Sequence, residues 1–130
     1  MGHSGVGEVS IFGAVFAVSL VALSLPVSLR RAKVGEMVGD GADETLRRRI
    51  RAQGNFIEYV ALGIISLGLV EAHAVPAWIV VAIGATLASG RLLHAIGMLG
   101  GSAPVRGFGM LLTYAALLVA AGWLIMDAAF

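Results

Sequence analysis

The sequence predicts an all-α integral membrane protein, a single domain over residues 1–130 built as a bundle of four transmembrane helices. Three observations carry that prediction. Of 130 residues, 58% are hydrophobic and only 13% charged, too little polar surface to clothe a soluble globule of this size. Four apolar runs are long enough to cross a hydrocarbon core of roughly 30 Å, and the polar residues gather in short segments between them. No Pro-, Ser- or Gly-rich linker, internal repeat or low-complexity tract divides the chain. Cysteine is absent, which excludes a disulfide framework and a thiolate metal site, so any thiol chemistry must take its sulfur from a substrate.

The first eight residues, MGHSGVGE, are small and polar and are assigned no function. Helix 1 is expected over 9–29, a stretch without a charge, with Pro26 near its end where a kink is tolerated. No Lys or Arg precedes it and its apolar run exceeds a signal peptide's core, so it is expected to remain as an anchor. The segment from Arg30 to Arg51 then holds seven of the nine basic residues. Its middle, KVGEMVGDGADE, reads as a loop. The Gly/Asp run at Gly39, Asp40, Gly41 and Asp43 lacks the ligand spacing of a calcium loop and reads as a plain turn.

Asp43 is the expected N-cap of helix 2, with Glu44 in its first turn and the helix running over 44–71. By hydropathy this is the weakest of the four spans, because Asn55 and Glu58 interrupt it. A short turn at Glu71 to Ala74 follows, and Pro76 suits the first turn of helix 3, expected over 75–98 with Trp78 at the membrane interface. Small residues four apart, Gly84 with Ala88 and Ala85 with Ser89, mark close packing. Gly97, Gly100, Gly101, Ser102 and Pro104 mark the next loop, and helix 4 is expected over 105–126.

Orientation follows from the basic residues, which gather on the cytoplasmic side. The loop between helices 1 and 2 is therefore expected to be cytoplasmic and both termini outside. That topology brings Arg51, Asn55 and Glu58, then Arg91 and His94, then Arg106, to one leaflet. Arg51, Asn55 and Glu58 lie four and three residues apart and share a helix face. Taken singly, Arg51 and Arg106 read as arginines snorkelling to headgroups, His94 as an interfacial imidazole, and Arg91 with Glu58 as an ion pair that fixes helix packing. No second ligand accompanies His94 on its helical face, so no metal is expected. Taken together, the groups form a pocket with more cations than carboxylates, and an anionic cytosolic ligand completes it.

The segment Arg51, Ala52, Gln53, Asn55, Glu58, Tyr59 resembles the helix 2 signature of the membrane-associated proteins in eicosanoid and glutathione metabolism, the MAPEG family, where Arg, three residues, Asn, two residues and Glu are followed by Tyr. The resemblance extends to Arg91 and His94, and to Ala103, Pro104, Val105 and Arg106. It implies a homotrimer that binds glutathione between neighbouring subunits near the cytoplasmic face. By matching position, Arg51, Asn55, Glu58, Tyr59, Arg91 and His94 would hold the tripeptide and Arg106 would face its thiol. The implied activity is that of a membrane-bound transferase or peroxidase, with glutathione as cosubstrate attacking lipophilic electrophiles or lipid hydroperoxides. The implied partners are glutathione, a lipophilic small molecule, membrane lipids and further copies of the chain, with no nucleic acid.

The sequence departs from the family pattern in three places. Ala61 stands where many members have Pro, Gly54 where some carry another Arg, and His94 and Met98 where some place tyrosines, so a leukotriene-forming subtype is not supported. Two other functions compete. One is a non-catalytic member of the family that uses the same groove for a fatty acid or another anionic lipid. The other is a small cation exporter, for which Glu58 is the one candidate carboxylate.

Overall fold

The computed structural model describes residues 7–130, so most of the N-terminal stretch assigned no function lies outside the described residues. Four helices follow one another: α1 Gly7–Val34, α2 Glu44–Ala72, α3 Ala77–Gly100 and α4 Ala103–Ala129. All four are long and apolar enough to cross a membrane. Mean hydropathy is lowest in α2, at 1.5 against 2.2 in α1, as the polar interruptions of helix 2 require.

Helix α1 runs five residues past its expected end. Pro26 sits inside it without ending it, and Arg31 and Lys33 occupy the last turn, where cations favour the negative end of the helix dipole. The extension therefore stands beyond the apolar run as a basic stalk. Ile11, Val15, Val18, Val21, Leu25 and Leu29 form an exposed apolar face suited to lipid. The opposite face buries Phe16 edge-on against Phe56 of α2, with ring centroids 6.1 Å apart.

Asp43 caps α2 as expected. Its carboxylate accepts from Leu46 N at 2.7 Å and from Arg30 Nε and Nη2 at 3.0 and 2.7 Å, so one side chain starts α2 and ties it to the end of α1. The Arg30 guanidinium, then the Leu46 amide, push the Asp43 carboxyl down to about 2. A carboxylate depressed in the folded state stabilises the fold fully above its unfolded value, near 3.9. That stabilisation fades as pH falls towards the folded value. Thermal unfolding followed between pH 5 and pH 2 is expected to show a loss of stability in this window, and Asp43→Ala to flatten it.

Along α2 the buried residues Ala52, Phe56, Val60, Gly63, Leu67 and Val70 repeat at spacings of four and three, the pattern of one helical face. Phe56, Val60, Leu67 and Val70 of this face join Phe16, Ile79, Val80, Ile83, Leu87, Ala116 and Ala120 in the core. At the far end of the bundle, Glu71 accepts from Glu8 N at 2.7 Å and Val9 N at 3.3 Å. The carboxylate thus caps α1 from the end of α2, satisfying amides that a helix start leaves unpaired.

Helix α3 begins two residues later than expected, because Pro76 takes an extended ψ of 135° and serves as the cap, not as part of the first turn. It also continues through Gly97 and Gly100 and stops at Gly101, which adopts the left-handed conformation at φ 72°. Ser102 then caps α4, with Pro104 in the first turn, so the glycine-rich loop shrinks to two residues. Gly97 and Gly100 belong to the helix because Gly97 is a packing position. A Cβ there would fall 2.3 Å from Arg106 N, and one at Gly109 would fall 2.5 Å from His94 N. The backbones of α3 and α4 touch, as small residues allow in lipid. Gly84 admits a side chain instead of a backbone: the Phe12 ring of α1 occupies the place its Cβ would take. Ala85 and Ser89 are exposed and make no such contact.

Candidate functional site

The end of the bundle that carries the α1–α2 loop gathers the start of α2, the end of α3 and the start of α4. On α2, Arg47, Arg51, Asn55 and Glu58 are spaced by four, four and three, and Arg51 and Asn55 each stand one residue before the buried Ala52 and Phe56. About 100° per residue places this polar stripe at the edge of the buried face. Asn55 is half-buried and reaches inward, while Arg51 and Glu58 are exposed.

Asn55 meets Arg91, which is only 2% exposed. Arg91 Nη1 donates to Asn55 Oδ1 and to Asn55 O at 3.3 Å. Its Nε donates to Thr113 Oγ1 at 3.0 Å, and Nη2 to Met110 Sδ at 3.1 Å. The guanidinium also lies 5.0 Å over the Tyr59 ring, whose hydroxyl is 3.5 Å from that of Tyr114. A buried cation needs its donors satisfied, and here amide, hydroxyl, thioether and ring do so without a carboxylate.

That arrangement corrects the ion pair between Arg91 and Glu58. Glu58 is exposed and, among the described residues, has no cationic partner within 4.0 Å. Arg91 turns instead towards α2 and α4, leaving a positive charge behind Asn55 that no acid neutralises.

Two clefts open side by side over these groups. The first, of about 370 Å³, is lined by Asp40, Ile50, Arg51, Gly54, Asn55, Glu58 and Met98. Nothing would lie within 4 Å of a Cβ at Gly54, so its lack of a side chain leaves the cleft open. The second, of about 410 Å³, is lined by Glu44, Arg47, Arg48, Arg51, Gly97, Met98, Gly101, Ala103 and Arg106. Arg51 and Met98 belong to both. Both volumes fall within the roughly 300–1,000 Å³ of small-molecule sites. The second cleft has four arginines and one acid, Glu44, which already pairs with Arg47 at 3.4 Å and Arg48 at 3.1 Å.

Of the residues singled out in the sequence, Arg51, Asn55, Glu58 and Arg106 therefore line this adjoining pair of clefts. Arg91 and Tyr59 stand behind Asn55, bonded or stacked as described. His94 lines neither cleft: it is buried at the α3–α4 contact, beside Gly109. Sequence reasoning missed Thr113, Met110 and Tyr114, which complete the Arg91 cage. It also missed Asp40 in the first cleft and Arg47 and Arg48 in the second. Arg47 was visible as the residue one turn before Arg51 on the same stripe, and Thr113 and Tyr114 as adjacent hydroxyls in an otherwise apolar span.

The chain matches the model of the MAPEG family over residues 9–126. The protein belongs to the MAPEG family. This MAPEG protein is 30% identical over 110 residues to the inner membrane protein YecN of Escherichia coli strain K12, covering 85% of this chain and 84% of that protein. YecN of Escherichia coli O6:H1 strain CFT073 matches to the same extent. No solved structure matches significantly. With four spans and an inner-membrane relative, this MAPEG chain is a multi-pass integral membrane protein.

Proposed function

We propose that this protein is a membrane-bound glutathione-dependent transferase or peroxidase, acting on lipophilic electrophiles or lipid hydroperoxides. The observation that carries the reading is the pair of clefts joined at Arg51, one holding Glu58 and Asn55 and the other dominated by arginines. Glutathione carries two carboxylates and one ammonium. Arginines suit the carboxylates, by charge-assisted and bidentate bonds, and Glu58 suits the ammonium.

Arg106, at the first turn of α4 on the rim of the basic cleft, is assigned to the thiol. A free thiol has a pKa near 8.5, and a fixed neighbouring cation favours the thiolate. Lowering that pKa by two units takes about 2.7 kcal/mol of preferential stabilisation, which calls for the exposed Arg106 guanidinium to lose water when the tripeptide and a neighbouring subunit close over it. The thiolate then attacks an electrophile arriving through the bilayer, while the charged tripeptide arrives from water. In this reading the basic end faces the cytoplasm, and a homotrimer closes the open side of the clefts with neighbouring subunits.

Titrating glutathione into the detergent-solubilised protein and following ultraviolet thiolate absorbance tests the reading. A saturable thiolate signal is expected near neutral pH. Thermal protection by fatty acids with no thiolate signal would instead mark a non-catalytic lipid-binding protein using the same groove.

A further inference from the structure

The α1–α2 loop brings to the first cleft a carboxylate that the helix 2 motif does not contain. Asp40 lies between two glycines of positive φ, Gly39 at 79° and Gly41 at 62°, and lines the cleft together with Arg51, Asn55 and Glu58. The loop is anchored on both sides of it. Arg31 Nη1 donates to Glu36 O at 3.1 Å and to Gly39 O at 2.6 Å. Beyond it, Asp43 is bonded to Arg30 Nη2 at 2.7 Å. The backbone therefore holds Asp40 over the cleft, and no salt bridge of its own within the described residues does.

Charge is sorted on either side of Arg51. The first cleft has Asp40 and Glu58, neither within 4.0 Å of a cation among the described residues. The second has Arg47, Arg48 and Arg106, with its one acid already paired. A fatty acid or other simple anion gains from the basic side and is repelled by the acidic side. A ligand with an ammonium at one end and carboxylates along its length gains from both.

We propose that Asp40 is a ligand-binding residue that, together with Glu58, holds the ammonium of a zwitterionic, amino-acid-like ligand whose carboxylates reach Arg51 and the basic cleft. The inference rests on the glutathione reading and deepens it: the loop selects the γ-glutamyl ammonium. The carboxylate on the same carbon meets Arg51, and the glycine carboxylate meets the arginines beyond. Discrimination against deaminated peptides and against fatty acids then comes from the loop and not from the helix motif alone.

Calorimetry on the full chain in nanodiscs, with glutathione and its deaminated analogue glutaryl-cysteinyl-glycine as the two probes, tests this. The parent protein is expected to bind glutathione about tenfold more tightly than the analogue, as a charge-assisted contact allows. Asp40→Asn is expected to weaken glutathione binding about five- to tenfold, leaving the analogue unchanged or slightly tighter, while Asp40→Glu keeps the preference. An unchanged melting temperature shows that Asp40→Asn is folded. Equal weakening of both ligands by Asp40→Asn would mean that Asp40 only positions Arg51, which overturns the proposal and leaves the glutathione reading standing. Failure of the parent protein to bind either tripeptide overturns both.

Discussion

Replacing Arg106 with alanine is expected to lower the glutathione thiolate signal, and kcat with it, by roughly 25-fold at pH 7 and towards 100-fold below pH 6. Both figures follow from a bound-thiol pKa two units below its free value. The dependence has a definite sign: the thiolate is the favoured form, so the deficit grows as pH falls below the free-thiol value and vanishes above it. KM for glutathione should move much less, because Arg47, Arg48 and Arg51 remain in the cleft. The variant should fold, since the Arg106 side chain is exposed and its backbone supplies the contact with Gly97. Arg106→Lys should keep part of the effect as a point charge. Thiolate absorbance and steady-state kinetics with an aryl halide measure both quantities. A full thiolate signal in Arg106→Ala would move the role to another arginine.

The second large effect is expected at Arg91. Arg91→Ala removes the side chain that joins α2, α3 and α4 through Asn55, Thr113 and Met110. It leaves a cavity beneath Tyr59 and strips Asn55 Oδ1 of its donor. Cavity creation alone costs about 2–5 kcal/mol for a large buried side chain, and an orphaned acceptor adds about 1–3 kcal/mol. Thr113 is spared, because its hydroxyl also donates to Gly109 O at 2.9 Å. Arg91→Met fills the volume without a buried charge, so it should be markedly less destabilising, since replacing buried charge by packed apolar groups is often neutral. Both variants free Asn55 and should weaken glutathione binding. Melting in detergent, followed by tryptophan fluorescence, separates the stability effect from the binding effect.

The four spans were legible because apolar length and hydropathy are local properties of the chain. Asp43 was legible for the same reason, as an acid placed where a helix start leaves amides unpaired. Helix ends were less so. The extension of α1 past Leu29 depends on cations favouring its C-terminus, and the shortened α3–α4 loop depends on Gly97 serving as a contact between two backbones, which no single segment reveals.

The polar stripe of α2 was legible from spacing alone, yet its partners were not. Spacing places Asn55 and Glu58 on one face but cannot say which of them turns inward. The structure sends Asn55 to Arg91 and leaves Glu58 in the cleft, so opposite charge proved a poor guide to pairing. His94 shows the same limit: one turn from Arg91 on α3, it is buried at a helix contact because Gly109 lets α4 approach its backbone. Asp40 was read as part of a plain turn, since nothing in the loop's sequence says that it folds back over α2.

In the proposed function the clefts sharing Arg51 form one ligand site. A cryo-electron microscopy map of the protein in nanodiscs with saturating glutathione tests it most directly. Tripeptide density is expected against Arg51, with its ammonium end towards Glu58 and its thiol towards an Arg106. Clefts empty at saturation, or density confined to the apolar faces of the helices, would contradict it.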